Sequence, residues 1–282
     1  MSVAVLIVNY QAYEELDRAL DSIGPFLGPE DELVVVDQAS RRDPLAAIGA
    51  RHPRASMLPL ADNRGFAAGV NLAARHSTSR YLLLMNPDAV MEGPVPRVLE
   101  AWFDAHPDTG VAGPRVLDAD GTVQPSARRF PGWSAALGGR STWLTARFPR
   151  NPWSTRHLIG RDASGPVDAD WIAGSCFMTP RHVFERAGGF DESFFLYWED
   201  ADYCRRVADL GLRRVLVPTV HVRHAGGRSA QYARPAAIRA WHASAYRMYW
   251  KHAGPLSRLA APFAAAALWI RCEWLLRKTA KE

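Results

Sequence analysis

Three acidic points in this chain stand where a fold would present them to a ligand: Asp37, Asp88 and the cluster Trp198-Glu-Asp-Ala-Asp202. Tyr81 to Met85 is a short, unbroken apolar run, the pattern of a strand buried on both faces of a parallel sheet. It ends at Asn86-Pro87-Asp88. Proline gives no hydrogen bond to a sheet ladder and biases the residue before it away from helix, so a turn begins there. Asp88 is thereby expected at the carboxyl end of a buried strand, the edge where open α/β sheets bind ligands. A carboxylate in that place suits a hard divalent cation, which in turn carries phosphates. The plain alternative is a turn aspartate capping the next segment. Two more strand-like runs, Ser2 to Asn9 and Glu32 to Asp37, also end in polar residues. Three polar strand ends on one edge describe a nucleotide-binding half.

Those ends need elements to hold them. Between the runs, Leu16, Leu20 and Ile23 recur at helical spacing up to Gly24-Pro25, and residues 43–50 read as a short helix. Ala55 to Leu60 predicts a third strand. Asn63-Arg-Gly-Phe-Ala-Ala-Gly-Val-Asn71 predicts a glycine-bearing loop entering a helix. Pro94 suits the first turn of a helix with an apolar stripe of Val95, Val98, Leu99 and Trp102, and Val111 to Leu117 reads as a fifth strand. Asp120-Gly121 predicts a hairpin turn into Thr122 to Gln124. Regular alternation of strand and helix over about the first 115 residues argues for βαβ units on a parallel sheet.

Residues 128–166 change character, being rich in Pro, Gly, Ser, Trp and Arg, and read as a long segment over the site. Asp170 to Met178 restores regular structure, Thr179-Pro180 predicts a helix cap, and Gly188-Gly189 a helix stop. The acids of residues 198–202 fall in the first turn of a helix running to Leu210, where the helix dipole favours them. A last strand, Leu212 to Pro218, leads to His221-Val-Arg-His224 and the glycine pair Gly226-Gly227.

Composition bounds the class. At 282 residues, 48% hydrophobic and 22% charged, the chain is long for one domain and short for two. Only Lys251, Lys278 and Lys281 of its 34 basic residues are lysines. The net charge of +5 is compatible with an anionic ligand or surface without selecting one. Cys176, Cys204 and Cys272 form no CxxC pair and read as packed, reduced thiols. No run reaches the ~18 apolar residues of a membrane span.

Taken together and in order, these motifs resemble an inverting glycosyltransferase of family 2 with the GT-A fold, and within it the bacterial rhamnosyltransferase type. The resemblance runs from about Val3 to Ser229. It rests on Ile7-Val-Asn-Tyr10, Val35-Val-Asp-Gln-Ala-Ser40, Asn63 to Asn71, Asn86-Pro-Asp88, Gly174 through Gly188-Gly-Phe-Asp191, Phe195 to Cys204, and His224 with Gly227 and Ser229. It implies a Rossmann-like, mostly parallel sheet flanked by helices, with a C-terminal helical extension. The expected division is a catalytic domain over 1–230, with 1–115 for the nucleotide and 116–230 for acceptor and catalysis, and a tail over 231–282.

The resemblance also implies roles. Asp37 would accept from the nucleobase imide, with Asn9 and Tyr10 in the same pocket. Asn63, Arg64 and Gly65 would lie along the ribose and diphosphate, with Asn86, Asp88 and Arg228 as further donor contacts. Asp88 would be the surviving ligand of the family's DXD motif for Mg2+ or Mn2+, with His224 as a second metal or diphosphate ligand and His221 its competitor. Asp200 would be the catalytic base, and Gly174, Trp198 and Glu199 would face the acceptor. Two departures stand out: Asn86 replaces the first DXD acid, and Gln38 replaces an asparagine. The chemistry is coherent on its own terms, because single displacement at an anomeric carbon needs one carboxylate for the acceptor's proton and opposite charge for the leaving diphosphate.

Residues 228–282 hold ten basic and two acidic residues, interleaved with Trp241, Tyr246, Tyr249, Trp250, Phe263, Trp269 and Trp274. Such a tail reads as a segment lying in the headgroup plane of a membrane, or as helices packed on the catalytic domain or on a second copy in a homodimer. The expected donor is a dTDP- or UDP-sugar, the acceptor a glycan or lipid-linked glycan of the cell surface. The expected place is cytoplasmic, peripheral on the inner face of the cytoplasmic membrane. Nucleic acid is not expected, since nothing in the tail resembles a recognition helix. The alternatives are a sugar-phosphate nucleotidyltransferase and a non-catalytic nucleotide-sugar-binding module. The first would need a glycine-rich phosphate loop directly after strand one, where Asn9-Tyr10-Gln11-Ala12 stands.

Overall fold

The structure is a computed structural model that describes residues 2–39, 41–130, 158–225 and 234–280. The chain opens with β1 (Val3–Asn9), α1 (Tyr13–Ile23), β2 (Glu32–Asp37), α2 (Arg42–Arg51), β3 (Ala55–Pro59), α3 (Phe66–Arg75) and β4 (Tyr81–Met85). Every residue of β1 and of β4 is buried, as their unbroken apolar runs require of strands covered on both faces. Strands β3, β2, β1 and β4 lie side by side in that order, all parallel. The register pairs Asn9 with Asp37 and Ile7 with Met85, so the polar strand ends meet on one edge.

Then come β5 (Ala89–Met91), α4 (Val95–Ala105), β6 (Thr109–Leu117), β7 (Val123–Gln124), β8 (Ala127–Arg128), β9 (Leu158–Ile159), β10 (Val167–Asp168), β11 (Trp171–Ile172) and β12 (Cys176–Pro180). The chain closes with α5 (Arg181–Arg186), α6 (Glu199–Asp209), β13 (Arg213–His224), α7 (Arg234–His252), α8 (Pro255–Arg258) and α9 (Ala261–Thr279). The fifth strand of the sequence, β6, does not follow β4 in space. Antiparallel β12 enters between them, and β13 runs parallel to β6 on its far side. Local alternation of strand and helix carries no information about a strand inserted from later in the chain.

Alternation along β1 divides the core. Val3, Val5 and Ile7 pack with Leu16, Leu20, Leu99 and Phe103, on the side of α1 and α4. Ala4, Leu6 and Val8 pack with Val70, Phe184, Phe190 and Tyr203, on the side of α3, α5 and α6. Each fully buried Leu or Phe in these layers contributes about 1.5–3 kcal/mol. Thr179 and Pro180 end β12, and Pro180, one residue later than a Thr179 cap would put it, is the N-cap of α5; the Thr179 hydroxyl instead lies 2.7 Å from that of Tyr203. Gly188 and Gly189, at φ +80° and +67°, do end the helix there. The hairpin at Asp120-Gly121 forms as expected, with Gly121 at φ +84° joining β6 to β7.

The first tail helix is docked. In α7, Lys251 Nζ lies 2.6 Å from Asp191 and 2.8 Å from Asp202, and the Ser244 hydroxyl donates to the Leu196 carbonyl at 2.9 Å. Burial works against the Asp191 charge, but Lys251 and Ser193 outweigh it and hold its pKa down at about 2. No helix among the described residues is long and apolar enough to cross a membrane.

Candidate active site

At the ends of β1 and β2, Asn9 and Asp37 are fully buried, and the Asn9 amide donates to Asp37 Oδ1 at 2.6 Å. Tyr13 donates to the other oxygen at 3.2 Å. Burial, followed by Asp37 itself, raises the pKa of Tyr13, so the phenol stays a donor. Tyr10 follows β1, half-buried. Gln38, a departure in the sequence, is a structural brace. Its Nε2 donates to the Gly65 carbonyl at 2.5 Å, and its Oε1 accepts from the Arg64 N–H at 2.8 Å. Both bonds hold the loop of Asn63, Arg64 and Gly65. Asn63 Oδ1 accepts from the Gly65 N–H at 2.9 Å, and the Arg64 side chain is exposed. Gly65 has φ +89°, and a Cβ there would fall 2.5 Å from the Phe195 carbonyl oxygen. Its glycine is therefore required by protein packing, whatever lies on its open side.

The turn after β4 places Asn86 and Asp88 against the end of β13. Antiparallel pairing of β5 with β13 sets His224 opposite Ala89, and the Ala225 N–H donates to the Asp88 carbonyl at 3.1 Å. His224 Nε2 then lies 3.2 Å from Asp88 Oδ1 and 3.3 Å from Asn86 Nδ2. Both Asp88 and His224 are buried. Two ligand atoms at right angles on an octahedral cation, each ~2.1 Å away, sit about 3.0 Å apart, so the Asp88–His224 spacing fits a shared divalent ion. Among the described residues no three His, Cys, Asp or Glu side chains are grouped so as to hold a metal ion, and the third side chain beside Asp88 and His224 is the amide of Asn86. His221 is turned elsewhere, 3.1 Å from Glu92. On the other ring nitrogen of His224, Nδ1 is 2.8 Å from Gln124 Oε1.

The second acidic site begins at a strained turn. Tyr197 and Trp198 are consecutive non-glycine residues in the left-handed region, at φ +68° and +71°, and they launch α6. Asp200 Oδ2 accepts from the Gly174 N–H at 2.8 Å, and Oδ1 from the Ala201 N–H at 2.7 Å. Burial raises the pKa of Asp200 against the pull of these N–H groups and of Arg128. Burial, and then the neighbouring Asp200, push Glu199 well above the ordinary carboxylate range. Its Oε2 has no hydrogen-bond partner among the described residues. Trp198 stacks on Trp171 at 6.5 Å and meets Trp241 of α7 edge-on at 5.6 Å. Asp202 faces away from this cleft, bonded to Arg206, Lys251 and His252.

Two adjacent residues, Gly174 and Ser175, tie the two sites together. Gly174 donates to Asp200, while the carbonyl of Ser175 accepts from the Asn86 N–H at 3.0 Å. Between them stands Tyr197, whose pKa is raised by burial and then by the Glu199 and Asp88 carboxylates. Tyr13, Gln124, Arg128 and Tyr197 escape a reading of the sequence because each acts through at least one residue far from it in the chain, and the bracing role of Gln38 escapes it for the same reason. Arg228 lies outside the described residues, as does most of the segment expected over the site.

A mixed sheet whose parallel half gathers its polar strand ends on one edge, with a second acidic site folded back onto that edge, is the architecture of GT-A glycosyltransferases. The chain belongs to glycosyl transferase family 2, whose model matches residues 4–186. It is 31% identical over 256 residues to the N-acetylglucosaminyl-diphospho-decaprenol L-rhamnosyltransferase of Mycobacterium tuberculosis (strain H37Rv), covering 86% of this chain and 82% of that one. In fold it is similar to the mannosyltransferase PcManGT from Pyrobaculum calidifontis in complex with GDP-Man and Mn2+. That likeness has a TM-score of 0.59 and 19% identity, over 99% of this chain and 73% of that one. It is also similar to GalNAc-T7 with UDP, GalNAc and Mn2+, with a TM-score of 0.60 and 16% identity over 79% and 44%. Family membership sets aside the nucleotidyltransferase alternative.

Proposed function

We propose that this glycosyltransferase moves a deoxysugar, rhamnose first, from a dTDP- or UDP-linked donor to a lipid-linked glycan, with inversion at the anomeric carbon. Asp37, with Asn9 and Tyr10, reads the nucleobase. Asn63, Arg64 and Gly65 follow the ribose and diphosphate, with Asn86 and Arg228 as further donor contacts. Asp88 and His224 hold a divalent ion, Mg2+ or Mn2+, which when bound supplies charge neutralisation to the departing diphosphate. Asp200 takes the proton of the attacking acceptor hydroxyl, while Gly174, Trp198 and Glu199 line the acceptor side. Residues 1–115 thus carry most of the donor contacts, joined by His224 and Arg228 from 116–230, which otherwise serves the acceptor.

The observation that carries this reading is the pair of neighbouring residues Gly174 and Ser175, whose backbone bonds join the base candidate to the Asn86 turn. A base and a leaving-group site so close together suit one direct displacement. The acceptor class is inferred from the diphospho-decaprenol acceptor in the name of the M. tuberculosis relative. The test is a turnover assay with dTDP-rhamnose and a polyprenyl-diphosphate sugar, with product configuration read by NMR. Thermal shifts should favour dTDP or UDP over GDP and ADP, and Asp37→Ala should erase that preference. Retained configuration, or equal stabilisation by purine and pyrimidine diphosphates, overturns the reading.

The tail supports a peripheral attachment to the inner membrane surface. Leu256, Leu259, Phe263, Trp269, Ile270 and Trp274 are exposed on α8 and α9, beside exposed Arg277 and Lys278. Apolar and basic side chains together on one helix suit an anionic lipid surface. Flotation with anionic vesicles should carry the protein, and Phe263→Ser with Trp274→Ser should release it. A concentration-dependent dimer that ignores vesicles would assign the face to a second copy instead.

A further inference from the structure

The orientation of His224 is set from outside the site already described. Gln124 Nε2 donates to Asp118 Oδ1 at 2.8 Å, and Gln124 Oε1 lies 2.8 Å from His224 Nδ1. An ionised carboxylate only accepts hydrogen bonds, so the amide nitrogen must face Asp118 and the amide oxygen must face the imidazole. An amide oxygen also only accepts, so His224 Nδ1 must carry the proton. With Nδ1–H engaged by Gln124, Nε2 is the ring nitrogen that faces Asp88 Oδ1 and Asn86 Nδ2, and it is the one whose lone pair a cation there would take. The sheet register produces this arrangement. Gln124 pairs with Val116, and Val116 pairs with Val222, so Gln124 and His224 share one face of the sheet. Arg223, on the opposite face, holds the hairpin through the Asp118 and Ala119 carbonyls at 3.2 and 3.3 Å.

We propose that Gln124, clamped by Asp118, is a positioning residue that locks His224 in the Nδ1–H tautomer and aims Nε2 at the cation site. This deepens the proposed function and rests on its assignment of Asp88 and His224 to a divalent ion. A partner on the distal nitrogen of a metal-binding histidine fixes the tautomer and raises ligand basicity, and its loss typically costs ~10–100-fold in metal affinity. Gln124→Leu removes the acceptor. The double change Asp118→Asn with Gln124→Glu reverses the relay, because an amide now donates to a carboxylate that still accepts from Nδ1.

Two measurements on the full chain test this. The first is a long-range 15N–1H correlation spectrum of the metal-free protein at pH 8, with His224 assigned by His224→Gln. The native protein should show the Nδ1–H pattern, Gln124→Leu should lose it, and the double variant should recover it. The second is titration with Mn2+ alone, followed by electron paramagnetic resonance. Affinity should fall ~10–100-fold in Gln124→Leu and return in the double variant. A native Nε2–H pattern, or a Gln124→Leu variant with unchanged tautomer and unchanged Mn2+ affinity, overturns the proposal. Mn2+ binding that ignores Asp88→Ala would instead sink the metal assignment, while the metal-free spectrum still judges the relay by itself.

Discussion

Replacing Asp200 with Asn tests the mechanism most directly, and the structure indicates what else the change does. Asp200 accepts two backbone N–H groups, from Gly174 on one oxygen and Ala201 on the other. Asparagine has one acceptor, so one of those N–H groups faces an NH2 instead. Losing a hydrogen bond to a charged group costs about 1.5–3 kcal/mol, offset in part because a buried charge is also removed. Losing a positioned base costs ~10²–10⁴ in rate, or about 3–5 kcal/mol on the barrier. Assayed well below its Tm, Asp200→Asn should therefore stay folded and lose turnover by that factor. Its affinity for nucleoside diphosphate should change little, since the proposed donor contacts lie at Asp37, the Asn63–Gly65 loop and Asp88. The pH profile gives an independent check. Asp200 must be ionised to act, and burial raises its pKa, so kcat/KM should fall as pH drops through a point above the ordinary aspartate value of ~3.9. Arg128 opposes that rise, so Arg128→Met should move the acid limb to higher pH. Near-normal turnover in Asp200→Asn, or an inactive Glu199→Gln beside it, would refute the assignment.

Asp88→Ala should abolish transfer and any metal-dependent nucleotide binding while leaving the melting temperature near native; full activity in excess chelator would give Asp88 another role. Lys251→Met should cost about 1–3 kcal/mol by removing a partner from both Asp191 and Asp202. Burial opposes the Asp191 charge but Lys251 wins, so this contribution is present above pH ~4 and is lost as pH falls toward about 2. A chemical denaturation series that finds the same loss at pH 2 and pH 7 would contradict that account.

The donor edge was legible because it is local. An apolar run that stops at Asn9, Asp37 or Asn86 announces both the strand and its polar end, and the parallel register then brings Asn9 and Asp37 together. Asp88 and His224 lie far apart in the sequence, and the pairing of β5 with β13 is what joins them. The insertion of β12 between β4 and β6 was hidden, since strand adjacency across the chain leaves no periodic trace. Gln38 looked like a defect in a base pocket, yet its amide braces a loop 26 and 27 residues away. Gln124 looked like the end of a hairpin strand, because nothing near it in sequence mentions His224.

The contact between Gly65 and Phe195 bears on attempts to change which donor the enzyme uses. The Phe66 N–H donates to the Phe195 carbonyl at 2.8 Å, and the same oxygen leaves no room for a Cβ on Gly65. The stretch proposed to follow the donor and the stretch that carries Tyr197, Trp198 and Asp200 are thus latched at one atom. A donor loop transplanted from a relative would have to arrive with a glycine at this position and a matching N–H after it. Without both, the graft would disturb the turn that launches Asp200, the proposed base, so the two stretches behave as one module.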